Sequence, residues 1–406
     1  MHRLLLATAF ILLATVCVTP QASLGLARAS AVNATLGATC SKAGAISNIN
    51  GVKLKCYKSG KKLLWIRISK IVDFYDAPAI ETVDPITFEN IASRIDDISQ
   101  TVWQNAQDVI ANNMNLPGAK TPYKIYHSPN MEIGFYKDAG AWMERVNSLY
   151  ANFALPVKTY LYFTTAQDLG STYREVLKTF AQNWATDMKE IYGSGFYGKS
   201  ANCVGTSPIR AHTQLPELIG MIFAGSCKNG ERELEGQVVH EYAHQVQEAQ
   251  LWNGQRTGRN IVEPCWMIEG QVVLTSMVER QSFQEYLDIH VPTSRPEYGT
   301  ILGDGYVQNP KINWTKKFVM NYFKKANVPG KCTETKEFSL SASVGFLTVE
   351  ALSAIRGIES HMSFEQRLGS GVPFNKAFLN TFGITWKKAA PILAEVVAAQ
   401  MAIVNN

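Results

Sequence analysis

Two histidines four residues apart, with a glutamate directly after the first, are the residues of this sequence best suited to chemistry. His240 and His244 enclose Glu241 in the stretch Gln237-Val-Val-His-Glu-Tyr-Ala-His-Gln-Val-Gln-Glu248. In a helix, residues four apart lie on the same face, one turn from each other. Two imidazole nitrogens so placed can bind one tetrahedral Zn²⁺ and leave coordination positions open. The carboxylate of Glu241 is then placed to act as a general base on a water at the metal.

A third protein ligand is needed, because catalytic zinc sites hold the metal through three side chains and a water. Glu269 lies 25 residues after His244, early in a second predicted helix that follows residue 264. Two antiparallel helices joined by a loop would bring Glu269 across to the histidine pair. Glu263 is the alternative third ligand. Without a metal, His240 and His244 would be polar residues on an amphipathic helix, one of them paired with Glu248.

The pattern of metal-binding residue types extends over both predicted helices. It reads His240-Glu-Tyr-Ala-His244 and then Trp266-Met-Ile-Glu269-Gly270. This pattern, over about residues 231–275, resembles the active site of the gluzincin metallopeptidases, the clan of thermolysin-like and aminopeptidase-like enzymes. The resemblance implies one Zn²⁺ per chain, bound by His240, His244 and Glu269. It also implies that Glu241 is the general base and that the substrate is a peptide or protein.

The strand before the histidine helix is a candidate for substrate binding. In the gluzincin clan, an antiparallel edge strand in this place pairs with extended substrate, a β-addition mode. The apolar run Gly220-Met-Ile-Phe-Ala-Gly225 occupies the corresponding position. An ordinary buried strand is the alternative interpretation of the same run.

Two features of the clan are missing from this sequence. Many gluzincins carry an acid four residues after the third ligand, where this chain has Val273. A backbone carbonyl or another carboxylate would then have to orient the imidazole of the first histidine. The segment 339–345, where the clan usually supplies a tyrosine or histidine as oxyanion donor, contains neither. The nearest substitutes as oxyanion donor are Tyr306, Tyr298 and His361.

Three functions remain open on this pattern. The first is a secreted zinc-dependent peptidase, a hydrolase that uses a metal-activated water with Glu241 as general base. The alternative is a catalytically weak or inactive zincin-like protein that binds at the cell wall or surface. A zinc hydrolase acting on another kind of bond is the third. Glu241 favours the first, because a structural zinc site needs no general base and more often has four protein ligands.

The composition of the chain and the order of its predicted elements favour an α+β fold. The chain is 46% hydrophobic and 18% charged, as expected of a globular protein with a core. Strands precede the histidine helix and helices dominate after it, which predicts a zincin-like domain with two lobes. The N-lobe, over about 73–255, combines a mixed sheet with the active-site helix, and a helical C-lobe covers 256–406. The predicted elements are helices over 88–109, 139–149, 171–191, 231–251, 316–325, 343–355, 375–382 and 389–403, a helix after residue 264, and strands over 123–126, 157–163 and 209–223.

A small basic β-module is predicted over residues 32–72. Residues 40–70 contain eight lysines and arginines and no acid, whereas the net charge of the whole chain is +5. Two β-prone runs, 51–57 and 63–68, are joined by Ser59-Gly60. The whole piece from Cys40 to Trp65 resembles a short Cys/Lys/Trp segment found near the N-terminus of many exported actinobacterial proteins. The cations could hold the protein to anionic wall polymers or lipid headgroups, or simply be solvated. We expect no nucleic-acid partner.

Residues 1–31 are predicted to be a signal peptide. Arg3 precedes an uncharged apolar run over 4–18, and small residues follow at Ala27, Ala29 and Ala31. The run of 15 is short for a membrane span, which needs about 20 apolar residues; an uncleaved anchor is the alternative. The protein is therefore predicted to be secreted, with association to the cell wall as an option.

The cysteines agree with an oxidising compartment. The mature chain would keep an even number, six, which favours disulfides over free thiols. From their neighbourhood in the sequence, we predict the pairs Cys40–Cys56, Cys203–Cys227 and Cys265–Cys332.

Overall fold

The computed structural model describes residues 39–49, 52–59, 62–67, 75, 77, 80, 84–180, 209–214, 218–225, 231–251, 263–294, 313–327 and 335–404. Within these ranges the protein has an α+β fold that is mostly helical. The predicted signal segment, residues 1–31, lies outside the described residues. Among those described, no helix combines the length and the apolar character that a membrane span requires.

The predicted β-module is a three-stranded antiparallel sheet. Its strands are β1 (Ile46–Ile49), β2 (Val52–Ser59) and β3 (Lys62–Arg67), in the order β1-β2-β3. Strand β1 was not predicted, whereas β2 and β3 match the two β-prone runs. A disulfide joins Cys40 to the buried Cys56 across a Cα distance of 5.8 Å, which confirms this predicted pair. So small a sheet buries little apolar surface, and a covalent crosslink compensates for that.

A second sheet has four strands. They are β4 (Tyr123–His127), β5 (Lys158–Thr164), β6 (Ile209–Gln214) and β7 (Ile219–Gly225), in the order β4-β5-β7-β6. Strands β4, β5 and β7 are parallel, and β6 runs antiparallel to β7 at one edge. Strand β7 is hydrogen bonded on both sides, so it is an interior strand and cannot be the edge that accepts substrate. Among the described strands, the antiparallel one at the edge is β6.

Eleven α-helices lie within the described ranges. They are α1 (Ile95–Asn113), α2 (Ala139–Leu149), α3 (Leu169–Thr179), α4 (Glu231–Leu251), α5 (Cys265–Val278), α6 (Phe283–Ser294), α7 (Lys316–Ala326), α8 (Thr335–Arg356), α9 (Ser360–Gly369), α10 (Phe374–Phe382) and α11 (Trp386–Val404). The predicted limits of α2 and α4 are the observed ones. Helix α8 is longer than predicted, because it begins at Thr335 rather than at residue 343, and α6 and α9 were not delimited from the sequence.

The core lies between the sheet and the helices that follow it. Leu161 and Phe163 of β5 point into the same apolar cluster as residues of α1, α2 and α4. Helix α5 is buried along its whole length and packs between α4 and α8. Its Trp266 stacks on Trp386 of α11, with ring centroids 5.3 Å apart. A helix that is buried all round needs neighbours on every side, and α5 has them.

The connector that leads into the helical part is attached at Tyr75. Its hydroxyl donates to Glu359 at 3.1 Å, and Asn152 donates to the same carboxylate at 3.1 Å. Burial, followed by the negative charge of Glu359, raises the pKa of Tyr75 above its ordinary value. Tyr75 therefore packs with the helical part of the chain.

Candidate metal centre

Helix α4 is fixed against the sheet by polar contacts as well as apolar ones. The amide of Gln245 donates to the Met221 carbonyl at 3.0 Å, and Tyr242 donates to Asn147 of α2 at 2.5 Å. Strand β7 comes so close to this helix that a Cβ on Gly220 would lie 2.0 Å from Oε1 of Gln245. These contacts set the rotation of α4 about its axis, and with it the direction of the two histidines.

Helices α4 and α5 bring His240, His244 and Glu269 together in the protein interior. Oε2 of Glu269 lies 3.8 Å from Nε2 of His240 and 3.6 Å from Nε2 of His244. The ligand atoms of the three residues all lie within 4.8 Å of one another. The residues are 2%, 5% and 7% exposed, and the imidazole rings are nearly perpendicular at 88°. This buried group could bind a metal ion.

The chemistry of the three donors fits a divalent cation. In a tetrahedral site with bonds of about 2.1 Å, ligand atoms lie roughly 3.4 Å apart. The distances from Glu269 to the two imidazoles exceed that value by only a few tenths of an ångström. Two imidazoles and one carboxylate leave a fourth position for water or substrate, the arrangement of catalytic zinc sites. A cation would also compensate the cost of burying the carboxylate.

Glu269 is held in place by an unusually close helix crossing. A Cβ on Gly270 would lie 2.3 Å from the carbonyl carbon of Gly345, and a Cβ on Gly345 would lie 2.0 Å from the Trp266 carbonyl oxygen. Both positions therefore need glycine for α5 and α8 to approach backbone to backbone. The glycine of the downstream motif thus has a packing function, which fixes the helical turn that carries the third ligand.

Gln247 is a site residue that the sequence reasoning missed. Nδ1 of His244 lies 2.9 Å from Oε1 of Gln247. The amide nitrogen of Gln247 donates to the Ile268 carbonyl at 3.1 Å and to Oε1 of Gln271 at 2.7 Å. Its signal in the sequence was the spacing of three residues after the second histidine, which places both on one helical face. The expectation of a carbonyl or carboxylate partner concerns His240, the first histidine; for the second histidine, His244, the structure provides an amide oxygen.

The proposed general base differs from the ligands in exposure. Glu241 is partly exposed, whereas His240 and residues 242–247 are buried. A general base must exchange protons with water, and the partial exposure of this residue is compatible with that role. Glu263, the alternative third ligand, is fully buried. The metal-ligating group among the described residues contains Glu269 rather than Glu263.

Of the three candidates for an oxyanion donor, His361 is the one that lies among the described residues. Tyr306 and Tyr298 lie outside the described residues. His361 is buried in α9, and its Nε2 lies 2.7 Å from Oγ of Ser353 and 3.1 Å from the Val349 carbonyl. Burial lowers the pKa of His361 to about 3, so the ring is neutral at physiological pH. These contacts make His361 a link between α8 and α9, and its role as oxyanion donor stays a prediction.

The other sequence features that the structure describes lie in helices α5 and α8. Val273, where an acid would be expected, is buried in α5. The segment 339–345 forms part of α8, and its last residue packs against Trp266. Cys265 is disulfide-bonded. The other predicted disulfide cysteines, Cys203, Cys227 and Cys332, lie outside the described residues.

A cluster of charges lies at the other end of the α4–α5 pair, away from the candidate metal centre. Arg280 pairs with Glu235, and Nε of Arg145 lies 3.9 Å from the buried carboxylate of Glu279. Burial, and then the nearby charge of Glu235, raise the pKa of Glu279 to about 8. This carboxyl is therefore protonated in much of the folded protein at neutral pH.

Comparison of the chain with known protein families, curated proteins and solved structures found no match. The functional interpretation accordingly depends on the motif residues and on the geometry described above.

Proposed function

We propose that the protein is a secreted zinc-dependent peptidase of gluzincin type with a zincin-like, two-lobed domain. The observation that carries the proposal is the buried convergence of His240, His244 and Glu269, with the more exposed Glu241 one residue after the first ligand. Three ligands with an open fourth position are typical of catalytic rather than structural zinc.

Each site residue of this chain would have a separate role. His240, His244 and Glu269 hold the metal, which when bound supplies a Lewis acid and makes a neighbouring water more acidic. Glu241 accepts the proton of the attacking water and passes it to the leaving amine. General acid–base help of this kind contributes about 10²–10⁴ in rate.

The edge strand β6 is the best-supported place for an extended substrate. It is the last strand in the sheet order of the described residues, and helix α4 lies against β6 and β7. A peptide could therefore add to the sheet as a further strand, through backbone hydrogen bonds that need no particular sequence. This places the β-addition on β6 instead of on the run over 220–225.

We place the protein outside the cell, in an oxidising compartment where disulfides persist. The Cys40–Cys56 disulfide and the disulfide at Cys265 support an oxidising compartment. The basic residues of 40–70, of which Lys42 is exposed, would attach it to anionic wall or membrane surfaces.

The test is a comparison of wild type with Glu241→Gln and Glu269→Ala. We expect about one zinc per chain in wild type and in Glu241→Gln, measured by mass spectrometry, and loss of the metal in Glu269→Ala. Hydrolysis of casein and of a peptide library should fall by about 10² or more in Glu241→Gln, because the general base is lost.

Each other result has a definite meaning. Unchanged hydrolysis in Glu241→Gln would rule out the mechanism. Stoichiometric zinc in Glu269→Ala would place the third ligand elsewhere, with Glu263 as the next residue to change. Wild-type protein that binds zinc but cleaves no peptide would favour the zincin-like surface-binding alternative.

A further inference from the structure

Gln247 connects the two ligand-bearing helices through a single side chain. It is fully buried on α4, three residues after His244. Its amide oxygen contacts Nδ1 of that histidine, and its amide nitrogen donates to Ile268 and Gln271 on α5. In the sequence, Ile268 directly precedes Glu269, and Gln271 follows it by two residues. One amide therefore reaches a ligand on one helix and the turn that carries a ligand on the other.

The orientation of this amide follows from the groups around it. The Ile268 carbonyl oxygen has no hydrogen, so it can only accept, and the nitrogen of Gln247 must face it. The oxygen of Gln247 then faces His244, which must donate from Nδ1. A neutral imidazole carries one N–H, so the lone pair is left on Nε2. Nε2 is the atom that lies 3.6 Å from Glu269.

We propose that Gln247 is the positioning residue of the metal centre. It sets the tautomer and ring orientation of His244, and it ties that ring to the α5 turn that carries Glu269. The backbone carbonyl of Ile268 is thus the origin of a chain of hydrogen bonds that ends at a metal-binding lone pair. The proposal depends on the metal site of the proposed function and does not depend on peptide hydrolysis.

The neutral amide has a function that a carboxylate cannot fully replace. Glutamate at position 247 would still accept from Nδ1 of His244. It would lose both donated bonds to α5, because a carboxylate has no hydrogen to give to Ile268 or Gln271. Leucine would lose the acceptor and the donor together. The two substitutions therefore separate the orientation of the histidine from the link between the helices.

Gln250 provides a matched control on the same helix. It is also a buried glutamine whose amide nitrogen and amide oxygen are both hydrogen bonded. The nitrogen donates to the Ala154 and Val246 carbonyls at 2.6 and 2.8 Å. Its oxygen accepts from the Ala154 amide at 3.3 Å. None of these partners belongs to the metal centre, so Gln250→Leu should cost stability in the same way without affecting the metal.

The experiment measures zinc affinity and the histidine tautomer in the full chain. Competition with a chromophoric chelator should show zinc binding 10–100-fold weaker in Gln247→Leu, the usual effect of removing a ligand's outer hydrogen-bond partner. We expect Gln247→Glu to retain most of the affinity, and Gln250→Leu to match wild type. Long-range ¹⁵N–¹H spectra of metal-free protein labelled in histidine should show the Nδ1–H tautomer for His244 and a loss of that preference in Gln247→Leu.

The proposal fails if wild-type His244 carries its proton on Nε2, or if Gln247→Leu binds zinc as tightly as wild type. It also fails if Gln250→Leu weakens zinc binding equally, because the effect would then reflect general destabilisation. Thermal unfolding of the variants identifies any that do not fold. Protein that binds zinc in a Gln247-dependent way but hydrolyses nothing would refute the peptidase proposal alone.

Discussion

Three buried glutamates show how the neighbours of a side chain decide its chemistry. Glu269 faces two imidazoles and belongs to the candidate metal centre. Burial would raise the pKa of Glu350, but the charge of His290 and the hydrogen bonds around it outweigh burial and hold that pKa below its ordinary value. Burial, and then the charge of the nearby acid Glu235, raise the pKa of Glu279. The same residue type is thus a candidate metal ligand, an ionised anchor and a neutral acid.

Glu279 should make the protein less stable as the pH rises. Below pH 4.5, its ordinary value, the carboxyl is protonated in both folded and unfolded chains. Between that pH and about 8 the unfolded chain ionises while the folded protein keeps the proton. The free energy of unfolding then falls by at most about 1.4 kcal/mol per pH unit from this group.

Glu279→Gln should therefore flatten the decline in stability over that pH interval. Urea denaturation at several pH values gives the free energy of unfolding. The slope of that free energy against pH is then compared between wild type and variant. Exposed Glu132 provides the control, because Glu132→Gln should leave the slope unchanged. An identical slope in Glu279→Gln would show that this carboxyl ionises normally in the folded protein.

At the scale of elements, the antiparallel pair of α4 and α5 is fastened on both sides of the metal centre. At one end, Gln247 of α4 is hydrogen bonded to Ile268 and Gln271 of α5. At the other end, Arg280, just after α5, pairs with Glu235 of α4. The ligands lie between these two attachments, so the separation of the helices is set independently of the metal. A site built on rigid elements with supporting contacts keeps its ligands close to the binding geometry.

The crossing of α5 and α8 gives a prediction about glycine. Gly270→Ala puts a methyl group 2.3 Å from the backbone of Gly345, so the helices must separate. We expect a loss of about 1–3 kcal/mol in the free energy of unfolding, together with weaker zinc binding, because Glu269 is the adjacent residue. Denaturant unfolding and chelator competition measure the two effects.

Gly170 of α3 is the matched control for this substitution. The nearest atom to a Cβ there is the end of the Arg174 side chain at 3.8 Å, an ordinary contact. Gly170→Ala should be neutral or stabilising by up to about 1 kcal/mol, since alanine is the better helix former. Equal and small effects at both positions would mean that the α5–α8 crossing tolerates a side chain.

At the scale of the whole molecule, the helical part is joined by a buried polar cluster. The carboxylate of Glu350 on α8 accepts from Ser99 at 2.8 Å, from Tyr286 at 2.5 Å and from Gln400 at 3.0 Å. His290 lies 3.1 Å from the same carboxylate. The donors belong to α1, α6 and α11, so one side chain connects four helices that are far apart in the sequence.

The β-module gives a prediction about how the chain is divided. Replacing both cysteines in Cys40→Ser/Cys56→Ser opens a crosslink between residues 16 apart. The entropy regained by the unfolded module corresponds to about 3 kcal/mol. Hydrogen exchange in β1–β3 should become faster by the factor that corresponds to this loss of about 3 kcal/mol. Exchange in α4 and α5 should stay unchanged. Faster exchange in α4 and α5 as well would contradict the predicted boundary at residue 72.

Local patterns predicted much of the fold. Helical periodicity with flanking glycine and asparagine defined α4, and an uninterrupted β-prone run defined β5, because both signals depend on neighbours within a few residues. The Cys40–Cys56 pair was predicted for the same reason, since only a short segment separates the two. Strand β1 has only four residues, too few for a clear pattern.

What the sequence determined by itself was the set of residue types that can bind a metal and the helices that carry them. His240 and His244 share a face because the α-helix repeats every 3.6 residues, whatever surrounds it. Only the tertiary structure decided that Glu269 meets them, that Gln247 faces Nδ1, and that β7 is interior while β6 is the edge. Those outcomes depend on contacts between residues far apart in the chain, and strand order and helix crossing have no short-range signal.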